Sequence, residues 1–150
     1  MEYECILFDL DGTLTDSAIG ITNSVIYALK KYDIKVDNRN ELNKFVGPPL
    51  SDSFESYYGF SKEEAKTAVE YYREYYREKG MFENLVYDGI EDLLKTLKYN
   101  NKTLVVATSK PQVFAQQILE KFDIAKYFAY IAGSNLDGTR VKKDEVIQYA

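Results

Sequence analysis

The sequence predicts an α/β fold: an open parallel sheet with helices packed on it, interrupted after its first strand by an all-helical block. Three observations carry this prediction. Short apolar runs at Cys5-Ile6-Leu7-Phe8, Thr103-Leu104-Val105-Val106-Ala107 and residues 128–132 are each closed by polar or turn-forming residues, the pattern of buried strands. Between and after the last two runs, apolar residues recur at helical spacing. Residues 17–80 carry several such helical stretches and no strand pattern. Strands that alternate with helices pair in parallel, because a parallel crossover needs a helix-length connection.

In chain order, residues 1–11 read as the first strand, buried and ending in Asp9 and Asp11. Asp16 or Ser17 is a good N-cap for a helix over residues 17–32, where Ile19, Val25, Ile26, Leu29 and Tyr32 recur near helical spacing. Residues 33–40 form a polar turn. Leu42, Phe45 and Val46 make a short helix that Gly47-Pro48-Pro49 stops, since proline cannot continue it. Residues 51–58 are another short helix, ending near Gly59. Ser61 followed by Glu64 fits a capping box for a helix reaching about residue 79. Its stripe of Ala65, Ala68, Val69, Tyr72, Tyr75 and Tyr76 reads as packing of the helical layer; stacking on a base or sugar is the other use of such tyrosines.

After Gly80 the pattern changes. Asp88-Gly89 opens a helix with Ile90, Leu93, Leu94 and Leu97 on one face. The strand at residues 103–107 ends in Thr108-Ser109-Lys110-Pro111. Pro111 suits the first turn of the next helix, whose face is Val113, Phe114, Ile118, Leu119 and Phe122. The strand at 128–132 ends at Gly133-Ser134, Asp137-Gly138 marks a turn, and a last helix starts at Lys143. Polar groups thus gather beyond the strand carboxyl ends, where open α/β sheets bind ligands.

Composition narrows the function. A chain of 150 residues, 45% hydrophobic and 29% charged, can build a real core. Its net charge of -5 offers no basic field, so nucleic acid is not an expected partner. The single Cys5 excludes an internal disulfide, and the absence of histidine excludes histidine triads and histidine metal sites. No signal-type segment and no apolar run of membrane-spanning length is present, so the expectation is a cytoplasmic protein without a membrane partner.

The motif that organises the rest is Asp9-Leu10-Asp11-Gly12-Thr13. Side chains two apart on a strand share a face, so both carboxylates point the same way if strand geometry persists to Asp11. Paired carboxylates at a strand end suit a nucleophile, an acid/base and a divalent cation. An ordinary Asp-Gly turn after a strand is the alternative.

With Asp9-Leu10-Asp11-Gly12-Thr13-Leu14-Thr15-Asp16-Ser17, then Gly47-Pro48-Pro49-Leu50, Val105-Val106-Ala107-Thr108-Ser109-Lys110-Pro111 and Lys143 in this order, the chain resembles the haloacid dehalogenase superfamily of phosphohydrolases. Within it, the chain is similar to the phosphoglycolate phosphatase-like branch with a helical cap. The resemblance implies a Rossmann-like three-layer α/β/α core, residues 1–16 and 81–150, with a cap at residues 17–80. It implies Mg²⁺-dependent hydrolysis of a small phosphomonoester, phosphoglycolate-like, a sugar phosphate or a nucleotide. Asp9 would attack phosphorus and become an aspartyl-phosphate, and Asp11 would act as acid and then base. Thr108 would hold a phosphoryl oxygen and Lys143 would neutralise charge, with Lys142 as its rival. Mg²⁺ would rest on the Asp9 carboxylate and the Asp11 carbonyl.

Thr13 and Ser109 are candidate substrate contacts, although Ser109 could instead cap the helix at Pro111. Gly47 and Pro48 are candidates too, or simply a helix stop. Lys110 reads as a surface or rim residue. The expected partner is a small phosphorylated metabolite, and the expected state a monomer or homodimer.

The chain departs from the family pattern in one respect. The family's acidic pair after a further strand is not found in the seven residues that follow Lys143. The expectation is therefore the front part of a longer protein, weak Mg²⁺ binding by this portion alone, and a first strand left at a sheet edge. A sugar-phosphate mutase of the same superfamily, or an inactive fragment, are the alternatives.

Overall fold

The structure is a computed structural model that describes residues 3–137 and 143–149. The chain divides into two compact units: residues up to Asp16 together with those from Leu85 onward, and Ser17–Asn84.

The first unit holds the parallel sheet. Strand β1 is Cys5–Phe8, β4 is Thr103–Pro111 and β5 is Tyr130–Ser134, in the order β1-β4-β5. Phe8 stands opposite Val106, and Ala107 opposite Ala132. A separate two-residue antiparallel pair joins β2 (Thr15–Asp16) to β3 (Leu85–Val86). The sequence pattern did not show this pair, because two residues carry no periodicity.

Helices α4 (Ile90–Tyr99), α5 (Gln112–Lys121) and α6 (Lys143–Tyr149) complete the unit. The crossovers β1 to β4 and β4 to β5 step the same way across the sheet, so right-handed connections put α4 and α5 on one face. Leu94, Leu104, Val106, Ile118, Leu119 and Ile124 are buried, while α6 lays Val146 on Ala107 and Ala132. This is the Rossmann-like α/β class that the sequence predicts.

The first strand is shorter than its apolar run suggests, and it takes the edge position expected of it. It ends at Phe8 rather than continuing to Asp11. Cys5 is exposed, and Leu7 is 45% exposed. A strand with one hydrogen-bonded neighbour has helices over less of its surface, so the same apolar run that marks a central strand leaves side chains uncovered here.

The second unit is helical throughout: α1 (Ala18–Lys30), a 3₁₀ turn at Arg39–Phe45, α2 (Leu50–Tyr58), α3 (Lys62–Glu78) and a short 3₁₀ turn at Gly80–Phe82. Ser61 and Glu64 form the capping box that the sequence predicts, each side chain bonded to the other's backbone N–H. Tyr72 and Tyr76 are buried with their rings 5.3 Å apart, so these tyrosines serve as packing. Ser17 occupies the N-cap position of α1, but its hydroxyl makes no capping bond. No helix among the described residues is long and apolar enough to cross a membrane.

Candidate active site

The loop after β1 is wound around one carbonyl. Leu10 O accepts from the backbone N–H groups of Thr13, Leu14 and Thr15 at 3.2, 2.9 and 3.2 Å. Gly12, at φ 79°, takes the left-handed conformation this winding needs, and its N–H donates to Thr15 O at 2.8 Å. Leu10 and Leu14 are fully buried beneath the loop. The apolar residues of the motif therefore anchor it, while Gly12, Thr13 and Asp16 are exposed.

Asp9 follows directly on β1, and its Oδ1 accepts from the Leu10 N–H at 2.8 Å. Asp11 lies in the tight loop, not on the strand, so loop winding rather than strand alternation places its carboxylate. Its Oδ2 stands 3.3 Å from Lys110 Nζ, and the two side chains are 8% and 6% exposed. Its other oxygen, Oδ1, is buried with no hydrogen-bond partner among the described residues.

Thr108 comes to the same strand end. The register pairs Phe8 with Val106, so Thr108 lies two residues past that level on the neighbouring strand and Asp9 one residue past it. Thr108 is 1% exposed, and its Oγ1 accepts from the Lys110 N–H at 3.1 Å. Ser109 is half-buried and does not cap α5, whose N-cap position is Pro111. Thr13 is exposed.

Lys110 corrects the sequence reading. It is not a rim residue: it is 9% exposed and paired with Asp11. The reason lies in the register between β4 and β5. Ala107 faces Ala132 and Pro111 faces Ser134, so three residues of β4, Thr108, Ser109 and Lys110, stand against the single Gly133 of β5. A bulge of this kind bends its strand and re-aims a side chain. The available signal was Gly133 inside a strand pattern, which marks a bulge or a close backbone approach.

Lys142 and the side chain of Lys143 lie outside the described residues. Gly47 and Pro48 belong to the helical unit, between its 3₁₀ turn and α2. Among the described residues no group of three or more His, Cys, Asp or Glu side chains could by itself enclose a metal. What the site offers a hard cation is a pair of hard oxygen donors, the Asp9 carboxylate just past β1 and the Asp11 backbone carbonyl two residues on. That donor set fits Mg²⁺ as a partial site, with water filling the other positions.

Comparison with known proteins agrees with this geometry. The family model described as haloacid dehalogenase-like hydrolase matches residues 6–150. A 5'-nucleotidase of Pseudomonas aeruginosa is 48% identical over 149 residues, which cover 99% of this chain and 67% of that protein. The tyrosine-protein kinase PtkA of Mycobacterium tuberculosis is 40% identical over 98% of this chain and 50% of its own length. The crystal structure of a predicted phosphatase from Clostridium acetobutylicum superposes with a TM-score of 0.97 at 60% identity, covering 98% of this chain and 68% of that one. The chain thus spans between half and about two thirds of these relatives. With the aspartate loop, the parallel sheet and the family match all in agreement, the chain belongs to the haloacid dehalogenase-like hydrolases.

Proposed function

We propose that the complete protein is a Mg²⁺-dependent phosphatase acting on a small phosphomonoester through an aspartyl-phosphate. The observation that carries this reading is the strand-end site itself: Asp9 at the end of β1 and Asp11 with its side chain buried, its Oδ1 without a partner among the described residues and Lys110 beside it.

The Asp9 carboxylate serves as the nucleophile. Its attack on a phosphate dianion needs positive charge nearby to offset the repulsion. Lys143, or Lys142, is the candidate for part of it, because the Lys110 ammonium is already engaged by Asp11. Mg²⁺, held by the Asp9 carboxylate and the Asp11 carbonyl, would contribute the rest by neutralising phosphoryl charge. Asp9 forms the new bond to phosphorus as the ester P–O bond breaks. Asp11 protonates the departing oxygen, then takes a proton from the water that hydrolyses the intermediate. The buried Thr108 hydroxyl is the candidate donor to a phosphoryl oxygen, with Thr13 and Ser109 at the margin.

The nucleotidase relative makes a nucleoside 5'-monophosphate the first ester to try. In this reading the helical unit selects the substrate, with Gly47 and Pro48 as candidate contacts. The complete protein should release phosphate from adenosine 5'-monophosphate or another small ester with Mg²⁺ present and lose that activity on chelation. Asp9→Asn should abolish it. Release that survives either change refutes the proposal. Transfer of the phosphoryl group within a sugar phosphate, seen by product analysis, would identify the mutase reading instead.

A further inference from the structure

We infer that Lys110 is the positioning residue of Asp11: its ammonium holds Oδ2 so that Oδ1 is the oxygen that exchanges protons with ester and water. This rests on the phosphatase reading above and assigns a task within it.

Three observations converge on the pair. The first is burial with contact: Nζ and Oδ2 stand 3.3 Å apart, and neither side chain is more than 8% exposed. Two charges taken this far from water are kept only where each compensates the other.

The second is the construction that delivers Lys110. The bulge of β4 sets Thr108, Ser109 and Lys110 against Gly133 alone. Thr108 Oγ1 holds the Lys110 N–H at 3.1 Å, and the Gly133 N–H donates to Gln112 Oε1 at 3.2 Å. A Cβ on Gly133 would come within 2.6 Å of Lys110 O, so glycine there lets the two strand ends close on each other. Lys110 is thus fixed at its backbone before its side chain reaches Asp11. A lysine meant only to balance charge on the surface needs no such support.

The third is the asymmetry within Asp11. One carboxylate oxygen is engaged by Lys110, and the other is buried with no partner among the described residues. Buried polar atoms are almost always bonded, so Oδ1 is open to a partner that is not a side chain, such as water or a substrate oxygen. Engagement of Oδ2 restrains rotation of the carboxyl group, so Oδ1 has a defined direction. In the first step Asp9 bonds to phosphorus, and the electron pair of the broken P–O bond stays on the ester oxygen. That oxygen takes the proton that Asp11 Oδ1 carries at the start of the cycle, which leaves Asp11 as the carboxylate paired with the Lys110 ammonium. In the second step the water oxygen bonds to phosphorus, its proton goes to Oδ1, and the bond to Asp9 breaks. Lys110 gains and loses nothing in either step; it acts through Asp11.

A positioning role differs measurably from a contact with the phosphoryl group and from a merely structural role. An alkyl ester needs a proton at its leaving oxygen, whereas 4-nitrophenolate leaves with little help. In the complete protein with Mg²⁺, Lys110→Met should lower kcat/KM for adenosine 5'-monophosphate about 10²-fold, the scale of general acid catalysis, and that for 4-nitrophenyl phosphate less than about tenfold. Lys110→Arg, which keeps the charge, should restore most of the difference and covers the case in which the methionine variant does not fold. In an Asp11→Asn background, Lys110→Met should leave the ratio of the two esters unchanged. Inhibition by inorganic phosphate should be equal in wild type and Lys110→Met.

Equal losses on both esters, or a ratio that still moves without Asp11, overturn the inference. Weakened phosphate inhibition in Lys110→Met also overturns it, because it would make Lys110 a phosphoryl contact. A wild-type protein that hydrolyses neither ester would instead fail the reading of the previous subsection.

Discussion

Gly133→Ala is expected to damage both the stability and the activity of the protein, because three backbone atoms occupy the place of the new methyl group. A Cβ at residue 133 meets Lys110 O at 2.6 Å, Gln112 Cα at 2.7 Å and Gln112 N at 2.8 Å. None is the movable end of a side chain. Relief to an ordinary contact of 3.4 Å requires the β4 and β5 ends to part by about 0.8 Å. Overpacking of this kind costs about 1–3 kcal/mol, and rigid backbone puts the expectation near ~3 kcal/mol. At about 2–4 °C per kcal/mol for a chain of this size, the melting temperature should fall by about 6–12 °C.

The same displacement moves Lys110 relative to Asp11, whose 3.3 Å separation leaves little room before the contact is lost. A misplacement of about 1 Å costs on the order of 10²-fold in rate, so kcat should fall on that scale even at temperatures where the variant is fully folded. Differential scanning calorimetry and steady-state kinetics at 25 °C check the two halves. A variant that melts with wild type and turns over normally would refute the reasoning, since it would mean that the strand ends do not close on Gly133.

Other outcomes follow from single contacts. Ser61→Ala removes the side-chain half of the capping box at α3 and should cost about 1 kcal/mol, read as faster hydrogen exchange at the Glu64 amide; unchanged exchange would count against the cap. The Tyr27 hydroxyl donates to Glu74 Oε2 at 2.8 Å, and this bond raises the tyrosine pKa above its usual 10.0. The stabilisation is therefore present below pH 10.0 and lost as pH rises through the folded value. Glu74→Gln should return the Tyr27 titration toward 10.0 in ¹³C-tyrosine NMR, and an unmoved titration would show the bond to be absent in solution.

The helical block was legible because its signals are local. Ser61 and Glu64 cap α3 by contacts three residues apart, and the Ala65, Ala68, Val69, Tyr72 and Tyr76 stripe repeats with the helix turn. The motif loop was legible for a similar reason: Gly12 and the acids beside it specify a turn whose closing bonds, to Leu10 O and Thr15 O, fall within residues 10–15. Reading β1 through to Asp11 went too far, because Leu10 O captures the following amides and ends the strand's ladder at Phe8.

Asp9 and Asp11, the alternation of strands and helices, and the family to which these point were determined by the sequence alone, through short-range pattern and spacing. The partner of Asp11 was decided only in three dimensions. Lys110 reaches it because β4 carries two more residues than β5 over the same span, and a register mismatch between paired positions more than twenty residues apart in the chain leaves no periodic mark in either strand. Burial followed the same division: the edge position expected of Cys5–Phe8 is the one found in the order β1-β4-β5, but how much of each side chain water still touches was set only by the packing around it.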